Sequence, residues 1–186
     1  MATTTVARSL HDVGLATWFG GSLMGAVGLN RAAGEVDDPR QRARVANVGW
    51  ARWTPVNLGA IAAHGIGAVA LTRENGNGLR AQDGLERTMA VQAGLTAAAL
   101  GATVYSRLLG RKVLKAGDVP VESGTQPTNG TPPEVKGAQR QLRVLQWAIP
   151  ALTGALMVTS RLAEQQQRRR RTEVVKGRFR RLVPGF

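Results

Sequence analysis

The chain has 186 residues, enough for one domain, and 25 Lys and Arg against 12 Asp and Glu give it a formal net charge of +13. It contains no cysteine, which excludes disulfide scaffolds, Cys-ligated zinc, iron–sulfur clusters and thiol nucleophiles. The average hydropathy is that of a basic soluble protein, but the charges are unevenly spread, and four runs carry none: residues 13–30, 53–72, 88–106 and 144–160.

At 1.5 Å per residue these runs span roughly 25–30 Å, the hydrocarbon thickness of a bilayer. A soluble bundle helix of that length shows charged residues on its outward face every three or four positions. None of the four does, and a chain this small cannot bury four helices on every side. The expectation is an all-α protein, a four-helix transmembrane bundle with basic interfacial helices. Residues 1–12 form an N-terminal segment, 13–160 the membrane domain and 161–186 a basic tail.

Run one follows Arg8 and ends near Ala26-Val27-Gly28, which resembles a signal-peptidase site. Asp12 in the flank and a run longer than about 15 residues favour a retained helix. Asp37-Asp38-Pro39 reads as a helix start, with Asp38 capping and Pro39 at the first helical position. Residues 39–52 then carry Arg40, Arg42, Arg44 and Arg52 among Val45, Val48 and Trp50. They are expected to lie as a helix on the membrane surface with the arginines on lipid phosphates. Trp50, Trp53, Tyr105 and Trp147 fall at that same surface, where amphipathic rings sit at headgroup level.

Small residues recur every four positions: Gly21 and Gly25 in run one, Gly59, Ala63 and Gly67 in run two, and Ala90, Gly94, Ala98 and Ala102 in run three. This spacing lets helix backbones approach closely in lipid. The polar side chains left inside the runs also keep to one face: Asn57 and His64; Gln92, Thr96, Thr103 and Ser106; Gln146, Thr153 and Ser160. Counting from a shared surface, His64 lies about 12 Å deep, Thr96 about 12 Å and Thr153 about 10 Å, with Asn57 and Thr103 meeting near the other surface. Asn57, His64, Gln92, Thr96, Thr103 and Thr153 therefore form a candidate intramembrane seam, read either as interhelical hydrogen bonding or as a polar pathway. By the same count His11 stands about 15 Å from His64. That is too far for two axial ligands whose nitrogens are about 4 Å apart, so no shared haem and no other cofactor is expected.

Residues 117–135 are rich in Pro, Gly and Thr without apolar periodicity and read as a flexible loop. Beyond run four, Arg168, Arg169, Arg170, Arg171, Lys176, Arg178, Arg180 and Arg181 form a polybasic tail, with apolar residues between them suited to a second interfacial helix. Such a tail is drawn to anionic lipid by about 1 kcal/mol per charge. Nucleic acid ranks below lipid because the tail follows a membrane helix and offers a single aromatic ring, Phe179, before the last residue. With four spans, 13 basic residues fall on the side of the termini and 12 on the other. The count is balanced, and the arginine run beside helix four favours cytoplasmic termini in the cell membrane.

The segments LHDVGLATWFGGSLMGAVGLNRAAGEVDDPRQRARVANVGWARWTPVNLGA and RQLRVLQWAIPALTGAL resemble a group of small, uncharacterised multi-pass membrane proteins of actinobacteria. The resemblance implies a cell-membrane location and a retained first helix, and it brings no activity or ligand. No paired carboxylates, Ser/His/Asp set, HExxH motif or phosphate loop is present, so the chain is not expected to be an enzyme. The expected role is a structural or accessory membrane component that binds anionic lipid and a partner subunit or a second copy of itself. The alternative is a small transporter or channel-like protein using the seam around His64.

Overall fold

The computed structural model describes residues 2–79 and 83–182, with side chains at 4–73, 87–165 and 172. Among these residues the fold is all-helical, with one isolated β-bridge between Val121 and Pro127. Helix α1 (Ala2–Met24) continues through a π-helical turn (Gly25–Leu29) into Asn30–Ala32 and a 3-10 turn at Ala33–Glu35. Helices α2 (Pro39–Leu79), α3 (Asp83–Lys115) and α4 (Pro133–Leu182) follow. Two stretches, Pro39–Arg73 and Pro133–Gln165, are long and apolar enough to cross a membrane.

The start of α2 is as the sequence indicates. Pro39 has no N–H to satisfy, and the next backbone N–H, that of Arg40, donates to Asp38 Oδ1 at 3.0 Å. Residues 39–52 do not lie apart as a surface helix, however. They are the first turns of a 41-residue helix, about 61 Å long, because Ala43, Ala46 and Asn47 are buried against neighbouring elements. The tail likewise forms no second helix: α4 runs unbroken for 50 residues to Leu182.

Helices α1 and α2 are antiparallel and clamped backbone to backbone. A Cβ at Gly14 would lie 2.6 Å from the His64 nitrogen, and one at Gly67 would lie 2.5 Å from the His11 nitrogen. Gly21 and Gly25 receive the indoles of Trp53 and Trp50 in the same register. Gly59 and Gly94, which share the four-residue spacing, face open space. Helix α4 packs along α3 and also against α1, with Gly154 at the Phe19 ring. The consecutive pair α2 and α3 barely touch; one approach is at Gly110, whose Cβ would stand 2.8 Å from Asn47 Oδ1. Leu15, Trp18, Ala99, Ile149 and Leu156 form the bundle core.

Residues 117–132 form an ordered cap and not a flexible loop. Val121 is fully buried with Ala43, Leu109, Val113, Val135 and Ala138. The Val121 N–H donates to the Pro39 carbonyl at 3.1 Å, and the Gly124 N–H to the Asn30 carbonyl at 3.1 Å. Thr131 Oγ1 donates to the Pro120 carbonyl at 2.6 Å and accepts from the Thr128 N–H at 2.8 Å. Gly117, at φ 79°, turns the chain out of α3. Polar composition conceals this order, because the threonines spend their hydroxyls on the cap's own backbone.

The pairings also fix the relative heights of the helices. Trp18 meets Thr103, Phe19 meets Gly154 and Gly14 meets His64. The uncharged runs of α1 and α4 therefore end near the level of His64, while those of α2 and α3 extend roughly 10–15 Å beyond it. The runs are staggered, which a count from one shared surface cannot reveal.

Candidate functional site

Where α2 and α3 part, a cavity of about 400 Å³ opens in the cap-side half of the bundle. Trp18, Ile61, Leu100 and Ile149 close its inner end, and Trp50 and Trp53 form one wall. Leu58, Val104 and Leu108 line its outward side and are more than half exposed. Toward the cap the lining turns polar, with Asn47, Thr125, Gln146, Arg107 and Arg111. Two of the lining side chains carry buried polar atoms with no hydrogen-bond partner, Asn57 Oδ1 and Ser106 Oγ. Such orphaned groups are costly away from water and mark a place where a ligand or water completes the bonding.

The π-helical turn helps to build this cavity. It delivers Asn30 to the interior, 4% exposed. There Asn30 Nδ2 donates to Gln146 Oε1 at 3.0 Å, and Asn30 Oδ1 accepts from Trp50 Nε1 at 2.9 Å. Thr125 of the cap also donates to Gln146 Oε1, at 3.3 Å. Trp50 is thus fixed by a glycine groove on one side and a hydrogen bond at its edge.

The six seam residues do not form one seam. Asn57 and Thr103 line the cavity together, and Thr103 accepts a bond from Trp18 Nε1 at 3.2 Å. Gln92 Nε2 donates to Ser160 Oγ at 3.3 Å, a direct link between α3 and α4. Thr96 and Thr153 return their hydroxyls to their own helices, at the carbonyls of Gln92 and Ile149, each at 2.8 Å. Thr153 sits beside the Gly154–Phe19 contact, about 10 Å along the axis from the level of His64.

His64 has a neighbour that the residue count placed far away. Its ring centroid lies 4.5 Å from that of His11, with Trp18 at 6.4 Å, and its Nδ1–H donates to the His11 carbonyl at 3.4 Å. The cause is the stagger: α1 is already helical from Ala2, so His11 enters the bundle instead of preceding it. The rings touch each other, which leaves no space for an iron with about 2 Å bonds on either side. His11 Nδ1 donates to Asp12 at 3.0 Å, and next to it runs a chain of ion pairs. Arg161 meets Asp12 at 3.6 Å and Glu164 at 3.3 Å, and Glu164 meets Arg8 at 2.6 Å.

Of the arginines assigned to lipid, Arg40 and Arg44 are exposed. Arg42 instead binds the fold, with Nε donating to the Val36 carbonyl at 2.7 Å and Nη1 to that of Glu122 at 3.3 Å. The side chains of Arg168, Arg169, Arg170, Arg171, Lys176, Arg178, Arg180 and Arg181 lie outside the described residues. Tyr105 and Trp147 are exposed at 46% each, in keeping with an aromatic belt, whereas Trp50 and Trp53 are drawn inward. Of the six seam residues only Asn57 and Thr103 line the cavity; Trp18, Trp50, Trp53, Arg107 and Arg111 are among the lining residues the seam did not include, as is Ser106, which shares the helix face of Thr103. A sequence signal for the indoles exists in Trp50-x-x-Trp53 set against Gly21-x-x-x-Gly25, large against small. Comparison with protein-family models, curated proteins and solved structures finds no match.

Proposed function

We propose that this chain is a multi-pass integral membrane protein, a four-helix transmembrane bundle acting as an accessory or structural component, not an enzyme, with basic ends that bind anionic lipid headgroups. The observation that carries this reading is an inverted distribution of polarity. Val13, Val56, Leu58, Ile66, Val104, Val144 and Val158 are 50–67% exposed, while Ser22, Asn30, His64 and Thr153 are buried. Large apolar side chains turned outward on all four helices while polar ones are buried are the expected arrangement in lipid.

The helix levels support a full-width belt. Arg52, Arg107 and Arg143 bound it at the cap and Arg73 and Arg87 at the other end, leaving 20 uncharged residues in α2, about 30 Å. Among the described side chains, Arg8, Asp12, Arg161 and Glu164 are the charges within it, and they pair with one another and sum to zero. The cap cations, none of which is ion-paired among the described residues, point the same way. The separation of Thr153 from His64 and the inward bonding of Thr96 weigh against a transport path through His64. A partner subunit or second copy would dock on the same lipid-facing surface.

The test is fractionation followed by labelling. The protein should stay with membranes in alkaline carbonate and need detergent for release. Because the native chain has no cysteine, Asn129→Cys in the cap and a cysteine appended at the C-terminus report sidedness cleanly. Cytoplasmic termini require that an impermeant maleimide label the cap alone. Release of the protein by carbonate refutes the membrane reading.

A further inference from the structure

We propose that the cleft between α2 and α3 is a binding site for a single-chain anionic amphiphile of the lysophospholipid class. In this arrangement the phosphate lies at Arg107 and Arg111, the Asn57 side chain turns its Oδ1 into the cleft to accept from the free glycerol hydroxyl, and the acyl chain runs inward past Leu58 toward Ile61 and Leu100. The proposal rests on the membrane reading and adds to it a particular ligand at a particular place.

Four observations converge on that occupant. The volume, about 400 Å³, lies at the lower end of the roughly 300–1,000 Å³ typical of small-molecule sites, which suits one chain better than two. The polarity is graded along the axis. Counting from the Asn47–Gly110 contact, Arg107 and Ser106 stand about two turns nearer the cap than Asn57, and Ile61 lies a further turn inward. A molecule with a charged head, a hydroxyl below it and an apolar tail matches that order.

The charge is also matched. Arg107 and Arg111 line the cleft, no acidic side chain does, and neither arginine is ion-paired among the described residues. Guanidinium groups so placed favour a phosphate, which takes paired N–H donors. Finally, Asn57 and Ser106 line the cleft and hold Oδ1 and Oγ buried without a protein partner. A turn of either side chain into the cleft breaks no protein hydrogen bond and lets Asn57 Oδ1 accept from a lipid hydroxyl and the Ser106 hydroxyl donate to a phosphate or ester oxygen. Entry needs no opening of the bundle, because Leu58, Val104 and Leu108 face outward on the seam where α2 and α3 hardly meet.

The cavity carries its own reporters, since Trp18, Trp50 and Trp53 line it, three of the chain's four tryptophans. Full-length protein extracted into a neutral detergent is titrated with a lysophosphatidic acid whose acyl chain is dibrominated, and tryptophan quenching is followed. Quenching should saturate and be reversed by the unbrominated lipid. Arg107→Gln combined with Arg111→Gln should weaken binding about tenfold, the loss of a charge-assisted bond expressed as affinity. Asn57→Leu should weaken it while leaving the size-exclusion profile unchanged, because Asn57 Oδ1 has no protein partner to lose.

Quenching that rises linearly, is equal for a neutral brominated detergent, and ignores both variants would overturn the proposal and reduce the cleft to annular lipid contact. Displacement by inorganic phosphate alone would overturn it in favour of a free-anion site. Either result leaves a detergent-extracted membrane protein in hand. A chain that is soluble without detergent refutes the membrane reading itself, and this proposal with it.

Discussion

Four glycine-to-alanine substitutions, made one at a time, should divide by sign. Gly14→Ala places a methyl 2.6 Å from the His64 nitrogen, and Gly67→Ala places one 2.5 Å from the His11 nitrogen. Both obstacles are backbone atoms, so no side chain can swing aside, and ordinary contact distances require α1 and α2 to separate by close to 1 Å. A gap of about 0.5–1 Å forfeits a quarter to a half of each dispersion contact along the crossing, and overpacking of this kind costs about 1–3 kcal/mol. The better helix propensity of alanine returns at most about 1 kcal/mol, so a net loss of roughly 1–2 kcal/mol is expected for each. Gly59→Ala and Gly94→Ala meet nothing within 4 Å and should be neutral or stabilising by up to about 1 kcal/mol. Reversible unfolding in mixed micelles, followed by tryptophan emission, measures all four on one scale. Equal shifts for Gly59→Ala and Gly67→Ala would refute the α1–α2 register and with it the His11–His64 contact.

Two further outcomes follow from the cap and the ion pairs. Val121→Ala removes two buried carbons and leaves a void, a loss of about 2 kcal/mol; proteinase K should then cut within residues 117–132 at a dose that spares the native chain, and equal susceptibility of both would return the segment to a flexible loop. Arg8→Ala should destabilise the bundle by about 1 kcal/mol, and Arg8→Ala combined with Glu164→Ala should cost less than the sum of the two single changes, because each single change already removes the 2.6 Å pair. Strict additivity in that double-mutant cycle would deny the α1–α4 link.

The division between what the sequence discloses and what it hides follows the range of the interactions. The four uncharged runs and the Asp38–Pro39 helix start depend on neighbours a few residues apart, and each is visible in the chain. Relative height is not, because it is decided by which glycine meets which backbone some fifty residues away, as Gly14 does at His64 and Gly67 at His11. One misplaced height explains three differences at once: His11 beside His64, Thr153 away from it, and Asp12 facing Arg161. The cap was hidden for another reason. Its order depends on one valine, Val121, and a few threonine-to-backbone bonds, which leave no periodic trace in a segment rich in Pro, Gly and Thr. Trp50 and Trp53 have the position of headgroup anchors in the sequence, and it is their glycine partners, Gly25 and Gly21, that draw them inward.

The stagger also determines which part of the bundle can yield. Helix α1 is held to α2 by glycine contacts and to α4 by the Arg8–Glu164 and Asp12–Arg161 pairs. Helix α3 is held to α4 by Gln92–Ser160 and by Tyr105–Gln141. The remaining adjacent pair, α2 and α3, shows among the described side chains no hydrogen bond or ion pair comparable to these. The four charges near the level of His64 pair and cancel, and they brace the side of the bundle opposite the open seam; in the proposed membrane setting each would be costly singly. A bundle held on three sides and little joined on the fourth is expected to yield first between α2 and α3, which is where the cavity, its orphaned polar atoms and its unpaired arginines are found.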